Sequence, residues 1–200
     1  MPDIVFRNIK DEIRILGVDD APFDKFRDEK TDLIGVVFRG GSYVEGVLKR
    51  EITVDGDDST ESIVEMVGST RHRGHLRVLM LSGITFGGLN IVDVDVLHRE
   101  TGLPVIIVTR RLPDLAAMKK AITHVPRSDE KIRRLLAAGD LYEIDMPGGK
   151  MVVIQKKGLS LRDARDIVRR STVRGLMPEP LRVAHLIASG ITRGDSKGRA

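Results

Sequence analysis

The chain has 200 residues, of which 41% are hydrophobic, and this is enough for one core of ordinary size. It carries 33 lysines and arginines against 29 aspartates and glutamates, and this mildly basic balance allows a nucleic-acid partner without requiring one. It contains no cysteine, which excludes disulfide scaffolds, thiolate zinc sites and cysteine nucleophiles. No apolar run approaches the ~20 residues of a membrane span. We therefore expect a single domain over 1–200, in the cytoplasm and away from membranes.

The first half of the chain predicts an antiparallel meander. Three apolar or alternating runs that are typical of strands lie at 13–18, 33–38 and 43–54. The first run ends at Asp19 and Asp20, which either place two carboxylates at a strand end or serve as turn residues before a proline. Gly40-Gly41-Ser42 supplies the turn between the second and third runs.

The second half predicts strands that alternate with helices. Buried strands are expected at 78–81 and 104–108, both parallel to the first strand, and a hairpin at 141–145 and 151–155. The predicted helices are 59–68, 91–100, 113–122, 129–138, 160–172 and one that opens at Pro178-Glu179-Pro180. The glycine-rich, basic tail 192–200 is expected to be mobile.

This order of elements predicts the fold class. Three antiparallel strands followed by helix, strand, helix and strand form the α/β, ribonuclease-H-like fold, a mixed sheet with helices on both faces. Acidic side chains at neighbouring strand ends can converge there. We expect Asp19 and Glu51 to converge and to bind magnesium, which needs only one or two protein carboxylates plus phosphate oxygens.

The segment 178–185 predicts a helix that carries two basic side chains on one face. Pro180 suits the first helical turn, where its missing N–H costs nothing. Arg182 and His185 follow at a spacing of nearly one turn, so their side chains share a face. They either point together into a functional site or belong to an amphipathic helix with a surface arginine and a core histidine.

Four segments resemble, in the same order, the motifs of endonuclease V, a repair nuclease that acts at deaminated bases. They are Gly17-Val18-Asp19, Tyr43-Val44-Glu45-Gly46 followed by Glu51, residues 78–83, and residues 178–185. The whole chain is most similar to the chiefly archaeal endonuclease-V-like family, long known as a domain of unknown function. That closer similarity includes residues 17–23, 83–93 and 196–200.

The resemblance implies a role for individual residues. Asp19 and Glu51 match the metal-binding carboxylates, and His185 matches a metal-proximal catalytic position. Tyr43 matches part of a wedge that separates the DNA strands, although the prolines that flank the wedge are absent here. Ser82 occupies the position of an essential aspartate, before Gly83.

Further residues are expected to contact nucleic acid. Arg110 follows a strand where endonuclease V has a basic residue near its active site, and it either binds phosphate or is a solvated strand end. Arg182 is expected to contact nucleic acid from the helix. Gly83 opens a glycine-rich loop that can let a flipped base approach closely, or that forms a simple turn.

The resemblance implies a magnesium- or manganese-dependent endonuclease that cleaves DNA, as a duplex, at or near uracil or hypoxanthine. The alternative is a nucleic-acid-binding protein with little or no cleavage, because a serine hydroxyl at position 82 is a poorer magnesium ligand than a carboxylate. A third interpretation is an interaction module that kept only the fold.

Overall fold

The computed structural model describes residues 3–196, and within them a seven-stranded mixed sheet is covered by helices on both faces. The strands are β1 Arg14–Asp20, β2 Lys30–Arg39, β3 Tyr43–Thr53, β4 Val78–Ser82, β5 Thr85–Phe86, β6 Asn90–Ile91, β7 Val105–Thr109, β8 Tyr142–Met146 and β9 Lys150–Lys157. The helices are α1 Ser59–Ser69, α2 Val94–Thr101, α3 Leu115–Ile122, α4 Ser128–Ala137, α5 Leu161–Ser171 and α6 Glu179–Arg193, with a 3-10 turn at Arg73–His75.

The sheet has the order β3-β2-β1-β4-β7-β9-β8, and β5 and β6 form a separate two-stranded ribbon. The first three strands are antiparallel to one another, whereas β4 is parallel to β1 and β7 is parallel to β4. This confirms the predicted topology. The hairpin β8–β9 continues the sheet, because β9 pairs antiparallel with the edge of β7.

Strand β1 is apolar on both faces because it lies in the middle of the sheet. Leu16 and Val18 pack into a core with α1 to α4, whereas Ile15 packs on the other face with α5 and α6. A small third cluster joins β2 to Ala184 and Ala188 of α6. Helix α6 therefore lies across β1 and β2, with Pro180 in its first turn against Gly17 in the middle of β1 and His185 against Asp19 near the carboxyl end.

The close approach of α6 to the sheet depends on Gly17. A Cβ atom at Gly17 would lie 2.6 Å from the carbonyl carbon and from the Cβ atom of Pro180. Real Cβ atoms do not come so close to backbone, so only glycine lets the start of α6 rest on β1. Two of the four segments that carry the sequence resemblance, those around Gly17 and Pro180, are thus in direct contact.

The ends of several elements differ from the prediction. Strand β1 continues through Asp19 and Asp20, so both carboxylates belong to the strand rather than to the turn that follows it. Helix α6 includes Thr192 and Arg193, which the sequence assigned to the tail. Residues 197–200 lie outside the described residues, so the mobility of the tail stays a prediction. Among residues 3–196, no helix is long and apolar enough to cross a membrane.

Candidate active site

A cavity of about 500 Å³ opens at the carboxyl ends of the parallel strands β1, β4 and β7. Its walls are the three strand ends, the segment that follows β1, and α6 with the loop before it. The lining residues are Asp19, Asp20, Ala21, Pro22, Phe23, Ser82, Gly83, Val108, Thr109, Arg110, Met177, Leu181, His185 and Arg193. Ligands bind at this edge in open α/β sheets, because side chains from different strands meet there.

The strand register brings Asp19 and Ser82 side by side. The residue before Asp19 pairs with the residue before Ser82, and Ser82 pairs in turn with Val108. Paired residues point to the same face of a sheet, here the face covered by α6. Arg110 lies two residues beyond Val108, just after the end of β7. The carboxyl ends of β1, β4 and β7 therefore all contribute to the same cavity.

Asp19 and His185 form the central pair of the cavity. His185 Nδ1 lies 2.9 Å from Asp19 Oδ2, and the Asp19 side chain is only 8% exposed. An ionised carboxylate can only accept, so the imidazole donates its Nδ1–H and keeps Nε2 for other partners. The hydrogen bond to Asp19 raises the pKa of His185, and burial and the nearby charge of Arg110 oppose this increase.

Asp20 contributes a second carboxylate from the other face of β1. Its Oδ2 accepts a hydrogen bond of 2.7 Å from the backbone N–H of Gly87. Burial, and then the charge of Asp19, raise the pKa of Asp20 to about 6, although the bond from Gly87 acts in the opposite direction. Ionising Asp20 in the folded protein is therefore costly, which is typical of carboxylates at functional sites.

The loop that donates to Asp20 is held in place by a buried lysine. Lys131 of α4 is 0% exposed, and its Nζ donates to the carbonyl oxygens of Asp55, Gly56 and Leu89 at 2.7, 2.5 and 3.0 Å. Burial lowers the pKa of Lys131. The backbone N–H of Asp55 donates to the carbonyl of Gly87 at 2.8 Å, so these contacts lead directly to the donor of Asp20.

The donor set fits a sparsely coordinated magnesium ion. Among residues 3–196, no group of three or more histidine, aspartate, glutamate or cysteine side chains can hold a metal ion. Asp19 and Asp20 remain as two neighbouring carboxylates in the cavity wall. Burial and the charge of Asp19 make the ionisation of Asp20 costly, and a divalent cation would relieve that cost. Magnesium accepts such a site, because water and phosphate oxygens complete its shell.

The structure does not bring Glu51 to Asp19. Strand β2 lies between β1 and β3, so two strand spacings, ~10 Å, separate the strands that carry these residues. The Glu51 side chain is 61% exposed, lies 3.9 Å from Lys30 and is not part of the cavity wall. Sequence spacing alone could not show this separation. It does not reveal that β3 neighbours β2 and not β1.

Two other predicted contact residues lie elsewhere. Tyr43 begins β3 opposite Arg39, at the end of the sheet remote from Asp19. It is 61% exposed, but a wedge there would be distant from the cavity. Arg182 is turned back along α6 to Glu179, with Nε and Nη2 at 2.8 and 2.6 Å from Glu179 Oε2. It therefore stabilises the start of α6 instead of facing the cavity beside His185.

The remaining predicted residues do line the cavity. Ser82, Gly83 and Arg110 are all in its wall. Gly83 has a φ of 93°, a left-handed conformation that favours glycine, and a Cβ there would meet nothing within 4 Å. Asp93, the next acidic residue after Ser82 in the sequence, does not line the cavity, and its carboxylate caps α2 by accepting the N–H of Val96 at 2.9 Å.

Sequence reasoning missed three contributors. Asp20 was visible as the second of two acids, but its side chain faces Gly87, which is 67 residues away in sequence. Arg193 lines the cavity from the last turn of α6, whereas the sequence assigned it to the predicted mobile tail. Lys131 lies in the predicted helix 129–138 but was not singled out, because no local signal in the sequence indicates its burial.

Comparisons with known proteins identify the family. The sequence pattern of endonuclease dU matches residues 11–192. The chain belongs to this archaeal endonuclease-V-like family. A UPF0215 protein of Methanothermobacter thermautotrophicus is 50% identical over 197 residues, which cover 98% of this chain and 95% of that protein.

Solved structures agree with this assignment. The crystal structure of a protein of unknown function from Archaeoglobus fulgidus has a TM-score of 0.82 and 38% identity, over 90% of this chain and 98% of that chain. Endonuclease V of Ciona intestinalis, in complex with a 24mer DNA containing an inosine, has a TM-score of 0.55 and 15% identity. That match covers 86% of this chain and 82% of the other. It confirms the predicted ribonuclease-H-like fold.

Proposed function

We propose that this protein is a magnesium-dependent endonuclease that cleaves DNA at or near deaminated bases, with uracil as the first candidate and hypoxanthine as the second. The observation that carries the proposal is the pair of adjacent carboxylates, Asp19 and Asp20, with His185 bonded to Asp19, in a cavity at the carboxyl ends of the parallel strands. The family name, endonuclease dU, and the DNA bound to endonuclease V of Ciona intestinalis support DNA as the substrate. A cytoplasmic location accords with this role and stays a prediction.

The residues of the cavity have different roles in the proposed phosphodiester hydrolysis. Asp19 and Asp20 would hold magnesium or manganese, which supplies charge stabilisation at phosphate oxygens and a lowered pKa of bound water. Asp19 fixes the orientation and tautomer of His185, so that Nε2 is available to take or give a proton in the cavity. Arg110 and Arg193 line the same cavity and bring positive charge to a bound phosphate.

A second candidate function is binding to nucleic acid with little or no cleavage. Ser82 favours it, because this side chain lies beside Asp19 on the neighbouring strand and brings a neutral hydroxyl where the related nucleases have a carboxylate. The cavity then keeps its basic residues and its shape but holds a metal ion weakly. The two candidates agree on the binding surface and differ in turnover.

Nicking assays separate the two candidates. Matched duplexes that contain uracil, hypoxanthine or only normal bases are titrated with magnesium and with manganese, and filter binding is measured in parallel. We expect cleavage of the uracil duplex that disappears with chelator and in the Asp19→Ala variant. Selective binding without cleavage at any metal concentration would favour the second candidate. Equal affinity for all duplexes and no cleavage would contradict both.

A further inference from the structure

The segment between β1 and β2 exposes an aromatic side chain beside the cavity. Ala21, Pro22 and Phe23 line the cavity, and Phe26 follows three residues later. Phe26 is 86% exposed, the largest exposed fraction among the large hydrophobic side chains of residues 3–196. Full burial of a phenylalanine stabilises a protein by about 1.5–3 kcal/mol. Phe26 contributes almost none of this to the fold.

The turn that carries Phe26 is held by its own hydrogen bonds. Asp24 Oδ1 accepts the N–H of Phe26 at 3.0 Å, and the Asp24 carbonyl accepts the N–H groups of Arg27 and Asp28 at 3.0 and 2.8 Å. Asp28 Oδ2 accepts the N–H of Asp24 at 2.7 Å, which closes the turn. The ring is therefore presented from an ordered turn, and little backbone entropy would be lost when it contacts a partner.

The neighbours of Phe26 indicate the chemistry of that partner. Lys25 Nζ lies 4.7 Å from the centre of the ring, and Arg27 follows directly in sequence. Phe26 thus presents a flat aromatic ring with Lys25 over one face, while the neighbouring Arg27 has its Nε 3.6 Å from Asp24 Oδ2 in an exposed ion pair. An unpaired nucleotide matches this arrangement, because a base can stack on the other face of the ring while an adjacent phosphate meets the ammonium group of Lys25.

The position of Phe26 limits which nucleotide it can reach. Three residues of extended chain span about 11 Å, so the Phe26 backbone lies within that distance of Phe23 in the cavity wall. At ~3.4 Å per nucleotide along a strand, this is about three nucleotides from a phosphate in the cavity. Tyr43, the other strongly exposed aromatic residue, lies at the remote end of the sheet, about 17 Å along β1 from Asp19.

We infer that Phe26 stacks on an unpaired base within about three nucleotides of the phosphate bound in the cavity, and that Lys25 contacts an adjacent phosphate. Phe26 thereby performs the strand-opening contact that the sequence assigned to Tyr43. This inference rests on the proposed function, since it takes the cavity to be the place where DNA phosphate binds.

Binding in the presence of chelator tests the stacking without cleavage. Uracil duplexes carry the fluorescent adenine analogue 2-aminopurine at each position within three nucleotides of the uracil. Affinity and fluorescence are measured for wild type, Phe26→Ala, Phe26→Trp and Tyr43→Ala. We expect Phe26→Ala to weaken binding about 5- to 150-fold and to abolish the fluorescence change at one position. Phe26→Trp and Tyr43→Ala should stay within about twofold of wild type.

The outcomes separate this inference from the proposed function. Melting temperatures should be unchanged in Phe26→Ala, since an exposed ring contributes little to the fold. The stacking role alone would be overturned if the wild type cleaves uracil DNA but Phe26→Ala binds that DNA as tightly as wild type. It would also be overturned if Tyr43→Ala loses as much DNA affinity as Phe26→Ala. Binding that depends on Phe26, in a wild type that cleaves nothing with any metal, would overturn the nuclease and support the stacking. No DNA binding at all would overturn both.

Discussion

Partly buried carboxylates lie near both ends of β1, but their surroundings are opposite. At the amino end, Glu45 receives Arg14 Nε at 2.6 Å and Arg39 Nη2 at 2.7 Å, and its side chain is 9% exposed. The pKa of Glu45 is lowered, and the main cause is the hydrogen bond from Arg14. At the carboxyl end, burial and the charge of Asp19 raise the pKa of Asp20.

The two carboxylates differ in their effect on stability. The charge of Glu45 stabilises the fold, whereas the charge of Asp20 destabilises it and is retained for another reason. Glu45 is paired with two guanidinium groups, and its ionised form favours the folded state. At Asp20, burial and the neighbouring charge of Asp19 outweigh the hydrogen bond from the Gly87 amide, so its ionised form disfavours the folded state. A protein tolerates such a destabilising group where binding or catalysis needs it. The comparison therefore makes opposite predictions for neutral substitutions at the two ends.

Asp20→Asn gives the largest expected effect, on cleavage. Loss of one of two carboxylates should reduce nicking of uracil DNA by about 100-fold or more. The pKa of Asp20 is raised from 3.8 to about 6, so its ionisation costs stability progressively as pH rises from about 4 to about 6. Above that window the variant should be more stable than wild type by up to about 3 kcal/mol.

Thermal melting in the presence of chelator, at pH 4 and at pH 8, measures this gain without a metal ion. The melting temperatures should differ at pH 8 and converge at pH 4, where the wild-type carboxyl is largely protonated. A melting temperature of Asp20→Asn below that of wild type at pH 8 would mean that Asp20 is needed to hold the loop at Gly87. The comparison between the two ends would then fail.

Glu45→Gln should have the opposite result, with a moderate effect on stability and little on cleavage. The amide cannot pair with the charges of Arg14 and Arg39, so the melting temperature at pH 7 should fall by a few degrees. The Glu45 pKa is lowered below its usual 4.5, so this stabilisation is complete above that pH and disappears as pH falls through the folded-state pKa. The two melting temperatures should therefore converge as the pH is lowered below 4.5.

Cleavage by Glu45→Gln is the matched measurement, because the substitution is chemically the same as in Asp20→Asn. Nicking rates below the melting transition should stay within about twofold of wild type, since Glu45 is at the remote end of the sheet. A loss of cleavage comparable to that of Asp20→Asn would show that the two ends do not have separate roles.

The sequence predicted the elements that depend on local pattern and on chain order. Strand β1, helix α6 and their meeting at Asp19 and His185 followed from the apolar run, the prolines and the family resemblance. Glu51 was expected beside Asp19, but strand periodicity does not show that β2 lies between their strands, so its role as a metal ligand stays a prediction. Lys131 could not be predicted as a buried residue. Its burial depends on carbonyl groups up to 76 residues away, and these meet only in the folded chain.

Ser82→Asp tests whether a metal ion binds at the cavity end of β1. Its expected effect, a shift in the metal dependence of cleavage, is the smallest of the three. The new carboxylate would lie beside Asp19, so in chelator it adds a third negative charge and should lower the melting temperature. Magnesium should reverse that loss, and the magnesium concentration for half-maximal cleavage should fall by about fivefold or more. Ser82→Asn, similar in shape but neutral, is the control that separates charge from size. If the aspartate and asparagine variants melt alike with and without magnesium, no metal ion lies between Ser82 and Asp19, and the carboxylates at this end serve a role other than metal binding.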